Sequence, residues 1–127
     1  MKITNDSDDP LRLLTGREVS AVCFVRDYVE LHFDGPILRA LSDPFGSHGG
    51  RAWRFPGPGS LELMRRYIGE TVVGCELDPD RILAVDFVEE HRFAIPLDHA
   101  SRVGPEAAHL IGVDERGRTD ATAMWVW

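Results

Sequence analysis

The sequence contains no glutamine, a single lysine (Lys2) beside 13 arginines, and only two cysteines, Cys23 and Cys75. So complete a replacement of lysine by arginine is the mark of a GC-rich genome, and it points to a bacterial source rather than to arginine-specific chemistry. No apolar run approaches the ~20 residues that a membrane span requires. The first ten residues carry three aspartates and one lysine, the reverse of a basic, apolar signal peptide. Two cysteines and no export signal make a reducing cytoplasm the expected compartment.

Catalytic signatures are lacking as well. There is no CxxC pair, which removes the zinc-ribbon and thioredoxin patterns, and no HExxH. Ser47, Ser60 and Ser101 stand outside any GxSxG setting. The glycines form neither GxxxxGK[ST] nor a GxGxxG between a strand and a helix. Gly57–Pro58–Gly59 precedes a helix start, but Pro58 removes an N–H donor that an anion would need. No catalytic residue and no cofactor is therefore expected. The net charge of −7 over 127 residues opposes binding to a phosphate backbone, so no nucleic-acid partner is expected.

What is present is an internal echo. Leu11–Phe33 and Met64–Phe87 align at an offset of 53, placing Gly16 on Gly69, Val19 on Val72, Val22 on Cys75, Phe24 on Leu77 and Asp27 on Asp80. One extra residue then brings Leu31 onto Val85 and Phe33 onto Phe87. Each copy opens on a short helix that stops at glycine. Asp9 is the expected N-cap of the first, with Pro10 at its first position, and Ser60 the expected cap of the second. Leu61, Met64 and Ile68 are expected to share that second helix's buried face. Gly16 and Gly69 suit a left-handed residue after the helix end. Alternating strands follow, turned at Arg26–Asp27, Asp34–Gly35–Pro36 and Asp78–Pro79–Asp80. Pro96 suggests an edge position for the strand that carries it.

The expected fold is α+β and mostly β: two tandem α-β-β-β units forming a barrel or two packed antiparallel sheets with short helices. One domain is expected over 1–127, with repeat units at approximately 9–41 and 60–97, a linker at 42–59, and a C-terminal helix and strand within 105–127. The helix is expected over Pro105–Ile111 and the strand over Ala121–Trp127. If Cys75 matches Val22, then Cys23 lies on the opposite face, and a Cys23–Cys75 disulfide is not expected.

Eight of the nineteen residues from Ser42 to Ser60 are glycine or proline, a density that predicts no regular element. Phe45, His48, Arg51, Trp53, Arg54 and Phe55 lie within it. Aromatic and arginine side chains are enriched at binding hot spots, which makes Phe45, Arg51, Trp53, Arg54 and Phe55 a candidate partner surface. The competing expectation is that Trp53 and Phe55 plug one end of the sheet. Trp125 and Trp127 share one face of the final strand, either completing the core or forming an aromatic edge for a second subunit. Asp86, His91 and His99 stand in a carboxylate–histidine cluster that could hold a divalent metal or act as acid and base, although hairpin-turn residues are usually just solvated.

The helix–Gly–Val opening, the Asp27–Tyr28–Val29 and Asp80–Arg81–Ile82 runs, and the stretch from Ile95–Pro96–Leu97 to Gly104–Pro105–Glu106–Ala107–Ala108 resemble small uncharacterised bacterial duplicated β-domain proteins. That resemblance implies immunity-like or accessory roles and supplies no catalytic residues. The expectation is a non-enzymatic module that binds another protein or itself. The alternative is a small-molecule- or metal-binding barrel, or a minor enzyme using the Asp86–His99 region.

Overall fold

The computed structural model describes residues 9–127; most of the acidic segment weighed against a signal peptide lies outside them. The chain forms two packed antiparallel five-stranded sheets that do not close into a barrel. A 3-10 turn at Pro10–Leu13 leads into β1 (Ala21–Val25), β2 (Tyr28–His32) and β3 (Ile37–Ala40). The hairpin β4 (Phe45–His48) and β5 (Arg51–Arg54) follows. Helix α1 (Ser60–Arg65) then precedes β6 (Val72–Asp78), β7 (Ile82–Phe87) and β8 (Arg92–Pro96). The chain finishes with β9 (Ala108–Val113) and β10 (Thr119–Val126). Among the described residues no helix is long and apolar enough to cross a membrane.

The hairpins are exchanged. One sheet runs β1-β2-β3-β9-β10 and the other β5-β4-β8-β7-β6. Each three-stranded meander is thus completed by the hairpin that follows the other meander. The halves also clasp each other where they begin. Gly16 N–H donates to the Val72 carbonyl at 2.8 Å, and Gly69 N–H to that of Val19 at 2.8 Å. Val19 N–H reaches the Glu70 carbonyl at 3.0 Å, and Val72 N–H that of Arg17 at 2.9 Å. Glu18 bridges Thr71 between them. Residues equivalent in these contacts are 53 positions apart, which makes the clasp reciprocal. Gly16 and Gly69 take φ of +86° and +91°, a region that a side chain disfavours.

The registers build matching inward rungs. Val22–Leu31–Leu38–Leu110–Trp125 crosses the first sheet. Cys75–Val85–Phe93–Gly46–Trp53 crosses the second. Together with Phe33, Leu83, Phe87 and Ile95, most of these residues form one core between the sheets.

Several expectations are corrected. The linker 42–59 holds a hairpin rather than an irregular loop: Gly49 and Gly50 both have positive φ, the turn that two-residue hairpins prefer. The expected helix at Pro105–Ile111 gives way to β9, because pairing with β3 places Ala108 and Leu110 in the core. Pro96 is not on an edge strand; β8 is central, and Pro96 lies past the end of its pairing with β4, where no N–H is needed. Gly59, not Ser60, caps α1, and the Ser60 hydroxyl donates to the Gly57 carbonyl at 2.7 Å. Leu63, Met64 and Tyr67 are buried, whereas Leu61 and Ile68 face outward.

Candidate functional site

The aromatic–arginine residues of the β4–β5 region do not gather on one mobile surface. Trp53 is 6% exposed, and its indole N–H donates to the Tyr67 hydroxyl at 2.9 Å. That hydroxyl in turn lies 2.6 Å from the Arg92 carbonyl and 3.0 Å from that of Ser47. Burial holds the Tyr67 phenol well above its ordinary pKa, so it remains a neutral donor. Gly46 sits across from Trp53 because nothing larger fits; a Cβ there would lie 2.1 Å from the Arg92 carbonyl oxygen. Phe55 packs against the core and stacks on Phe24 at 6.2 Å. Phe45 packs on the outer face over Ile82, Ala84 and Ala94, with Arg54 above its ring at 5.9 Å. Phe45, Arg54 and Phe55 do meet, together with Arg81, in a cleft of about 410 Å³. Arg51 and Arg54 are exposed along edge strand β5.

The tryptophan tail divides. Trp127 packs against the core, and its backbone pairs with Ala108. Met124, Trp125 and Val126 are 42%, 40% and 47% exposed on edge strand β10. An irregularity between Asp120 and Met124 breaks that strand's pairing with β9. At eight residues, β10 is the longest strand among the described residues, and its outer edge pairs with no other strand.

Asp86, His91 and His99 are not brought together. Asp86 forms a two-pronged pair with Arg92 at 2.7 and 3.1 Å, and His99 is exposed in a 3-10 turn after β8. His91 instead joins two residues that sequence reasoning left out of the ligand set. Its Nδ1 donates to Glu70 Oε1 at 2.8 Å, while Nε2 of the buried His48 donates to Glu70 Oε2. The two imidazole centroids are 3.8 Å apart, and the His48 ring meets Tyr67 edge-on at 4.9 Å. Ligand atoms of all three lie within 4.8 Å of one another. Three separate segments supply them: the end of β4, the residue after Gly69, and the turn before β8. That last turn carries two successive glutamates, Glu89 and Glu90, at φ of 60° and 63°, a strained arrangement of the kind that clusters at functional sites.

Cys23, Glu30 and His32 form a second such group on the outer face of the first sheet. Glu30 is already engaged there, accepting from His32 Nε2 at 2.9 Å and Arg39 Nε at 2.8 Å. Arg39 also donates to His109 Nδ1 at 3.2 Å and covers the Tyr28 ring at 4.7 Å. Burial works to raise the Glu30 carboxyl, but the hydrogen bonds and charges of His32 and Arg39 outweigh it and hold the group below 4.5. Both cysteines are free. Burial pushes the Cys75 thiol up to about 12, which makes it a packing residue rather than a nucleophile.

No protein-family model, no curated protein and no solved structure matches this chain.

Proposed function

We propose that the chain is a protein-interaction module that accepts an extended strand of a basic partner along β10. The observation that carries this reading is the run Met124–Trp125–Val126, exposed on a long strand whose outer edge pairs with no other strand among the described residues. Edge strands are ordinarily guarded by charge, brevity or cover. The edge of β5 follows that rule, with Arg51 and Arg54 on either side of its buried tryptophan. The second half of β10 has no such guard. Backbone hydrogen bonds to an added strand would supply affinity, and Trp125 would supply an anchor. The net charge of −7 favours a basic partner over a second copy of an acidic chain.

A photo-activated crosslinker at the exposed Thr122, used in the native cell, tests the reading and identifies the partner. With the purified partner, Trp125→Lys is expected to weaken binding roughly thirtyfold or more, the effect of losing a hot spot of about 2 kcal/mol. Crosslinks that map only to other copies of this chain would replace the partner with self-association. Unchanged affinity in Trp125→Lys would refute the β10 surface.

A further inference from the structure

We propose that His48, Glu70 and His91 bind a first-row divalent metal ion of the zinc class, independently of the β10 surface. Two imidazoles and one carboxylate are the donor set that such ions select, and three protein ligands leave a position open for water or an incoming donor. The ligand atoms already converge within 4.8 Å, so binding needs small side-chain adjustments rather than backbone movement. The rings are held in place: His48 lies against the buried Tyr67, and His91 is stacked on His48.

In the hydrogen-bonded trio Nε2 of His48 and Nδ1 of His91 both donate to Glu70, and a bound ion would take the place of both protons. One further observation favours an ion. On the far side of His91, Nε2 is 3.9 Å from Glu89 Oε2. With Nδ1 bound to a metal, His91 carries its proton on Nε2, and Glu89 is the carboxylate placed to receive it. A carboxylate behind a ligating histidine fixes the ring and strengthens it as a donor. The strained Glu89–Glu90 turn is what brings that carboxylate round. The Cys23–Glu30–His32 group is the poorer candidate, because the Arg39 guanidinium already occupies Glu30 and would repel a cation.

The test uses the full chain stripped with chelator and reloaded with Zn²⁺ or Co²⁺. One equivalent is expected to bind, with a visible Co²⁺ absorption band and a rise in melting temperature that grows with metal concentration. In the unmodified protein, Zn²⁺ is expected to shift the ¹⁵N resonances of His48 Nε2 and His91 Nδ1 and to leave His99 unchanged, a readout that requires no variant to fold. His48→Ala and His91→Ala are expected to lower affinity at least a hundredfold, and Glu89→Gln about tenfold. Cys23→Ser and His99→Ala should bind as the parent does. The proposal is overturned if no metal binds, if only the His32 or His99 resonances move, or if Cys23→Ser abolishes binding.

Discussion

The two inward rungs occupy equivalent places in their sheets, and each ends on a tryptophan of the outermost strand. In the second sheet Trp53 sits opposite Gly46 and caps its N–H on Tyr67, with arginines on both sides. In the first, Trp125 sits opposite Leu110, and the residue 53 positions before Tyr67 is Leu14, which has no hydroxyl to offer. The outer faces differ in the same sense. Glu30, Arg39 and His109 form a polar rung across the first sheet, where the second has Ala84, Ala94 and Phe45. Identical strand order thus fixes where side chains stand and leaves open what they do. One tryptophan is a core residue, the other a surface one.

The comparison breaks most readily at the tryptophans. Trp53→Ala is expected to cost about 3–5 kcal/mol, because it empties a buried site and removes the N–H donated to the Tyr67 hydroxyl; urea unfolding measures it. Trp125→Ala should cost under about 1 kcal/mol. Equal losses would mean that both rings serve the core. Tyr67→Phe comes next, at about 2 kcal/mol, since it leaves the Trp53 N–H without an acceptor and removes the hydroxyl's bond to the Arg92 carbonyl. Thermal melts compare it with Leu14→Met, expected to fall below about 1.5 kcal/mol.

A pH effect sharpens the outer-face contrast. The Glu30 carboxyl is lower in the native state than its ordinary 4.5. Its contribution is therefore complete above that value and is lost as pH falls through the lowered native value. Glu30→Gln is expected to flatten that part of the acid-stability curve, measured by urea midpoints from pH 6 down to pH 3. The smallest expected effect is that of Ala84→Ser, at a position that carries no charge to titrate, which should leave the shape of the curve unchanged.

Much of this architecture was legible because strand alternation and glycine placement are local signals. Val22 and Cys75, like Leu31 and Val85, can be matched by sequence and stand in equivalent rungs. The β4–β5 hairpin is hidden from the density of glycine and proline and shows only in where the glycines stand. His48–Gly49–Gly50–Arg51 has the two-residue Gly-Gly turn of a hairpin, and that signal was available. The strand at β9 was hidden for a different reason. Ala107 and Ala108 favour helix, and only pairing with β3, distant in the chain, overrides them. The His48–Glu70–His91 site could not be read from spacing, since its ligands are 22 and 21 residues apart. Glu70 did stand beside Gly69, one of the two glycines that anchor the sequence alignment.

The exchange of hairpins also sets a clock. Leu38 waits for Leu110, which is 72 positions further along the chain. At a synthesis rate of 5–20 residues per second, that separation amounts to roughly 4–14 s. During this interval the free side of β3 has no strand to pair with, and contacts of such long range are slow to close even in the finished chain. A nascent strand left waiting is an invitation to mispairing, and here its main defence is brevity: β3 is four residues long.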